Sequence, residues 1–328
     1  ISNWVMSFKY IVDSSEIAQE QIILNDVPVS VPTYENGNIS VSYDNSKTVV
    51  HFDDGTASFD DNSGKLVSYI VNSTEYLNQS PASSKTGLTP NVFRAPIDND
   101  RNIKSVWMRH SLDKLTEKIE SFNVTLENSR AEISASYSLC APAGKKFDYV
   151  INYSVGSAGD IKITLSLKKT TKALLKLPRF GIMFELPEQF NTVKYFGRGI
   201  KENLSDFNAQ SPIGIYEEKV HDMHEDYIYP QDNSNHSDVK YIEFKNDSGA
   251  VLKIYAEDRL TFSAHDYTQE NLTKALHRED IERVNSTVVS LDGFVRGAGS
   301  NSCGPETLKQ YTIDENKRLT FSFTMTAR

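Results

Sequence analysis

The sequence predicts an all-β protein, mainly antiparallel and organised as one large sandwich, and three observations carry that expectation. Apolar residues recur with a period of two, turn-forming clusters separate the alternating runs, and only two short segments show helical spacing. The clearest alternations are Phe147, Tyr149, Ile151 and Tyr153; Ile161, Ile163, Leu165 and Leu167; and Leu319, Phe321, Phe323 and Met325. Ile39, Val41 and Tyr43 make a shorter case. A period of two places such residues on one face of a strand and their polar neighbours on the other. Asp53-Asp54-Gly55, Asn62-Ser63-Gly64 and Asn246-Asp247-Ser248-Gly249 carry the chemistry that reverses antiparallel strands.

In chain order, two strands are expected first, from Trp4 to Val12 and from Ile17 to Leu24. Two strands do not form a stable sandwich alone, so they read as the tail of a preceding domain. A boundary near Val31-Pro32-Thr33 divides the chain into residues 1–32 and 33–328, and no linker rich in Gly, Ser or Pro interrupts the second part. Met108, Leu112, Leu115 and Ile119 follow the spacing of a helical face, and Leu272, Ala275 and Leu276 follow Thr268 as a cap. A chain beginning with Ile1 is expected to be a processed product or a piece of something longer.

Composition narrows the function classes. With 328 residues, 38% hydrophobic and 24% charged, the chain has enough material for a sizeable core. A net charge of −9 without a dense basic block argues against nucleic acid as a partner. No apolar run reaches the roughly 18 residues of a spanning helix, so no membrane partner is expected. Cys140 and Cys303 are expected to be free thiols in a reducing, cytoplasmic setting.

Several loops concentrate chemistry. "NVFRAPIDNDR" joins Arg94 to Asp98, Asn99 and Asp100; read as extended, it puts both carboxylates on one face within reach of Arg94 or a cation. Two carboxylates on one loop do not flank a glycosidic bond from opposite sides, so an Arg94-held turn locked by Pro96 is the expected role. His221 and His224 lack the third and fourth ligands of a zinc site. "GAGSNSCGPE" reads as a tight inter-strand loop, with Cys303 as a small buried hydrophobe rather than a nucleophile. No GxSxG, P-loop or dinucleotide fingerprint is present.

Taken in order, "EIAQEQIIL", "FDDNSGKLVSYIVNSTEYL", "NVFRAPIDNDR", "LPRFGIMFELP", "VKYFGRGIKENLSDF", "YIYPQDNSNHSDVKYIEF", "FSAHDYTQENLTKALH" and "LDGFVRGAGSNSCGPE" resemble the C-terminal region of the multidomain β-galactosidases of glycoside hydrolase family 2. The resemblance implies that residues 33–328 form that family's last domain, a large antiparallel β-supersandwich similar to galactose mutarotase. Residues 1–32 would then be the end of an immunoglobulin-like domain. The catalytic glutamates of the family lie in an upstream (β/α)8 barrel, which this sequence, lacking alternating strands and long helices, does not contain. The implied role is a noncatalytic region or small subunit that supports and partly closes the barrel's active site. Loops from Arg94 to Trp107 and around Cys303 would do the closing, with Arg94, Asp98, Asn99, Asp100, Asn301 and Cys303 near the substrate.

The partners implied are a catalytic barrel domain or large subunit, a galactoside such as lactose, and further copies in a homo- or hetero-oligomer. No cofactor or metal is assigned to this chain, although the family's barrel resembles Mg- and Na-dependent enzymes. The sequence departs from the family pattern at Ile200, Leu204, Phe207 and Asp232, and at His236 and Lys240 where arginines are usual. Some relatives have tryptophan at the place of Cys303, and others share "SCGP". Two other readings are a stand-alone aldose 1-epimerase with His221 or His224 as acid, and a carbohydrate-binding module without chemistry.

Overall fold

A computed structural model describes residues 4–27, 29, 31, 37–83 and 85–328, and its strands follow the alternation read from the sequence. Strands β1 (Trp4–Val12) and β2 (Ser15–Asn25) form a separate hairpin. A five-stranded meander follows: β3 (Ser40–Asp44), β4 (Lys47–Phe52), β5 (Gly55–Asp60), β6 (Lys65–Val71) and β7 (Thr74–Glu75). The remaining strands form one twelve-stranded antiparallel sheet. They are β8 (Thr89–Asn91), β9 (Thr116–Glu127), β10 (Arg130–Ala141), β11 (Gly144–Gly156), β12 (Ile161–Lys169) and β13 (Arg179–Pro187), then β14 (Thr192–Arg198), β15 (Ile213–Lys219), β16 (His236–Lys245), β17 (Val251–His265), β18 (Ser286–Val295) and β19 (Leu319–Ala327). Of the expected boundary, Pro32 and Thr33 lie outside the described residues.

The large sheet divides at β17. Its first part, Leu252–Ala256, pairs with β19 and so with the β12-β11-β10-β9 run; its second, Thr261–His265, pairs with β18, which carries β13 and β8. The exposed Glu257 and Asp258 fall at this change of partner. One chain segment thus feeds two layers, and the main core fills the space between them. Phe59 of the meander meets Tyr153 of β11 edge-on, with centroids 5.0 Å apart, and Phe180 of β13 meets Phe321 of β19 at 5.3 Å. The buried Tyr149 hydroxyl donates to the Gly181 carbonyl at 2.7 Å, which satisfies the polar end of an otherwise apolar contact.

Four hairpins turn through two-residue loops in which both residues have positive φ: Asp13-Ser14, Asn45-Ser46, Asn72-Ser73 and Asn128-Ser129. This is the type I′ geometry whose twist matches that of the flanking strands, and Asn and Asp tolerate it better than most residues. Of the two expected helices, α2 (Gln269–Lys274) forms with the expected cap, Thr268 Oγ1 accepting from the Asn271 N–H at 3.1 Å, but it ends before Ala275, which is extended, and so leaves Ala275 and Leu276 outside it. The other, α1 (Lys104–Arg109), stops well short of Ile119. Ser111 takes a left-handed conformation, and the chain is extended from Thr116 onward. Met108 thus belongs to α1, Leu112 to the 3-10 turn Leu112–Lys114 and Ile119 to β9, so the helical spacing crosses element boundaries.

Candidate functional site

At one end of β13 and β18, four loops converge: residues 92–103 after β8, 199–212 after β14, 224–235 before β16, and 296–308 after β18. The first is built around Arg94, whose side chain is 0% exposed. Its guanidinium donates to both carboxylate oxygens of Asp100 at 3.2 and 3.1 Å and to the Arg296 carbonyl at 3.1 Å. Asp100 also accepts the Ile97 N–H at 3.0 Å, closing the 3-10 turn Asp98–Asp100. Burial pushes the Asp100 carboxyl up, and the adjacent Arg94 charge opposes that shift.

The turn separates the two acids that an extended segment would have aligned. Asp100 goes inward to Arg94, whereas Asp98 borders a cleft, where its N–H donates to Gln231 Oε1 and its Oδ2 accepts from Gln231 Nε2. Asn99 joins the first loop to the fourth: its amide donates to the Gly299 carbonyl at 2.7 Å and accepts the Ser302 N–H at 3.1 Å. Arg101 adds a bond to the Ser302 carbonyl at 3.1 Å. Asp206, from the second loop, accepts the N–H groups of Ala298 and Gly299 at 2.7 and 2.8 Å. Asn301 is half-buried in the same turn, and Cys303 is exposed, contrary to the small buried hydrophobe expected of it.

The loops enclose a cleft of about 360 Å³ bordered by Asp98, Glu202, Asp232, Phe207 and Tyr227, among others. Glu202 accepts from the Tyr227 hydroxyl and from the Ser234 N–H at 2.9 Å, while burial raises its pKa. Beneath Asp232 lies a buried charge group. Arg179 Nη2 reaches Asn235 at 3.2 Å and Asp232 at 3.5 Å, and its Nε lies 3.7 Å from Asp292. Neither Asp292 oxygen has a hydrogen-bond partner, and burial pushes this carboxyl up to about 7, with Arg179 pulling the other way.

The structure therefore brings Arg94, Asp98, Asn99, Asp100, Asn301 and Cys303 into two interlocked loops. It leaves His221 and His224 outside the cleft lining: His221 pairs with Asp266 at 2.8 Å and His224 with the Tyr267 hydroxyl at 2.9 Å. Burial lowers the His224 pKa. Among the described residues no three His, Cys, Asp or Glu side chains converge as a metal site would need. Sequence reading missed Glu202, Asp206, Arg179 and Asp292, and noted Asp232 only as a departure from the family pattern. Asp292 left a signal, a carboxylate inside the apolar run of β18, but its partner Arg179 is remote in sequence.

Comparison with known proteins places the chain in a family. A family model described as "Beta galactosidase small chain" matches residues 52–325. The chain is 30% identical over 286 residues to a β-galactosidase of Actinobacillus pleuropneumoniae, covering 87% of this chain and 27% of that protein. It is 27% identical over 300 residues to one of Kluyveromyces lactis, covering 88% and 28%. Among solved structures it is similar, at a TM-score of 0.46 and 9% identity, to a GalM/aldose epimerase homologue from C. elegans, covering 89% of this chain and 99% of that one. The chain spans about a quarter of the length of the curated relatives it matches, from 24% to 28% in three of them. With most of its length matched by that one family model, the chain belongs to the β-galactosidase small-chain family.

Proposed function

We propose that this chain is a noncatalytic C-terminal region or small subunit of a β-galactosidase acting on terminal β-D-galactosides such as lactose. Its loops from Arg94 to Trp107 and around Cys303 lean over the active site of a (β/α)8 barrel carried by another part of the enzyme. The observation that carries this reading is the share of its relatives that the chain spans, 27% and 28% in two β-galactosidases. The interlocking of the two loops by Asn99 supports it, because a surface that completes a neighbour's site must itself be held in place. Two unbridged cysteines fit a reducing compartment such as the cytoplasm.

The N-terminal hairpin supports the same reading from the side of association. Met6, Phe8, Tyr10 and Ile22 share one face by cross-strand register and are 44%, 39%, 50% and 48% exposed. An apolar face of that kind on a two-stranded sheet needs a covering layer. We read residues 1–32 as strands of an immunoglobulin-like domain completed by the same partner, with 33–328 as the supersandwich. Phe8→Glu, which alters only an exposed side chain, should weaken binding to the barrel-bearing partner about tenfold or more, the scale of losing an apolar anchor. Sedimentation velocity of the mixture measures it. Equal association of wild type and variant would remove the hairpin from the interface.

A further inference from the structure

We propose that the N-terminal hairpin is an arm latched to the large sheet by an ion-pair clasp at Asp26, and that screening or neutralising the clasp frees the arm while the rest of the chain stays folded. The hairpin pairs with no other strand, and neither apolar core takes a residue from it. Among its described side chains, all but Val5 and Gln21 are exposed. An element that buries so little apolar surface gains little from docking, so it opens well below the free energy of global unfolding. What holds it is polar.

Gln21 bonds the Ile213 N–H and carbonyl at 2.6 and 3.0 Å, a side-chain amide taking the place of a strand neighbour. Asp26 pairs with Lys240 through one carboxylate oxygen and with Arg259 through the other, the latter at 2.6 Å, and Lys240 also donates to the Val27 carbonyl at 3.0 Å. Behind them the alternation of charge continues. Arg259 reaches Asp238 at 3.4 Å, and Asp238 accepts the Arg198 Nε–H at 2.6 Å, so β14, β16 and β17 all contribute to a chain of charges that ends on one acid of the arm. The bonds from Lys240 and Arg259 hold the Asp26 carboxyl below its ordinary pKa, and it meets them as an anion. The Asp26 and Arg259 side chains are 47% and 25% exposed, open enough for salt to screen their pairing. Beyond the clasp, Val29 and Val31 are half-buried and border one cavity with Tyr255 and Phe323, so the chain is anchored again and the arm turns about the residues just after Asp26. The clasp therefore fixes the direction in which the arm's open apolar face points, and opening it widens the arm's reach.

The inference needs no partner and stands whether or not one covers that face. Double electron–electron resonance on the full chain tests it, with spin labels at Gln19→Cys on the arm and Glu188→Cys just after β13, once Cys140→Ser and Cys303→Ser have removed the native thiols. Raising the salt from about 0.01 to about 1 M shortens the screening length from roughly 30 to 3 Å. The expected result is one narrow distance population at low salt whose share falls about twofold or more at high salt. Asp26→Asn should broaden the distribution already at low salt, and Arg259→Gln, made on the sheet side, should do the same. The melting temperature of Asp26→Asn should equal that of its parent at each salt concentration, because the arm adds nothing to the core. A parent distribution broad at every salt concentration, a distance indifferent to salt and to both variants, or a melting temperature that falls with Asp26→Asn would overturn the proposal.

Discussion

Arg94 shows how one side chain can organise a loop without meeting a substrate. Fully buried, it donates through its two terminal nitrogens to Asp100 and the Arg296 carbonyl, and its guanidinium carbon lies 6.0 Å from the Trp107 ring centroid. Removing it leaves the Asp100 carboxylate in a dry site, and breaking a buried pair in this way costs about 3 to 5 kcal/mol. Arg94→Ala should therefore lower the unfolding free energy by that amount, seen as a fall in the denaturant midpoint, and an unchanged midpoint would refute the buried pairing. Asp292 makes stability depend on pH. Its folded carboxyl titrates at about 7 against an ordinary 3.8, so the folded chain holds a proton that the unfolded chain releases over that window. This group's contribution is full below the lower value and disappears as pH rises through the upper one. His236 and His265, each held to about 4 by burial, act in the reverse sense between that value and 6.5, where the unfolded chain takes up protons. Comparing wild type with Asp292→Asn cancels the histidines. The stability difference, wild type minus variant, should fall with pH across the window at a limiting slope of about 1.4 kcal/mol per unit. A flat difference would mean that Asp292 is ionised throughout.

At the scale of elements, the turns hold the clearest unused margin. Asn128 and Ser129 both take positive φ between β9 and β10, and serine adopts that conformation against the steric pressure of its Cβ. Ser129→Gly should stabilise the chain by about 0.5 to 1 kcal/mol once glycine's greater unfolded-state freedom is subtracted, with thermal melting as the check. Gly181 offers the opposite case. A Cβ there would lie 2.0 Å from an Asp292 carboxylate oxygen and 2.4 Å from the Leu291 carbonyl, so Gly181→Ala should destabilise by about 1 to 3 kcal/mol through overpacking. Strand alternation was legible in the sequence: the runs beginning at Phe147, Ile161 and Leu319 became β11, β12 and β19. The stretch from Met108 to Ile119 was misread because its helical spacing runs on from α1 through a 3-10 turn into β9, and the left-handed residue that stops the helix is Ser111 rather than the Gly or Asn that usually signals such a stop. The Asn-Ser and Asp-Ser turns went unremarked since serine is an unusual second residue for them. Within the candidate site, the Asp98–Asp100 run was visible as a loop, but the 3-10 turn that parts its carboxylates depends on Arg94 being buried.

The whole molecule is a large sheet pair with a small hairpin held to one edge. Gln21 bonds both the N–H and the carbonyl of Ile213 on the edge strand β15, at 2.6 and 3.0 Å, and Asp26 pairs with Lys240 and Arg259. The hairpin is thus oriented from one side while its apolar face, carrying Phe8 and Tyr10, stays open. That asymmetry, together with the interlocked loops, is the physical content of the claim that this chain completes a larger enzyme. The direct measurement is hydrolysis of nitrophenyl β-D-galactoside by the purified chain, alone and after mixing with a barrel-bearing partner. The account predicts no turnover above buffer for the chain alone and turnover on mixing. Hydrolysis by the unaccompanied chain, or a mixture no more active than the partner by itself, would contradict it.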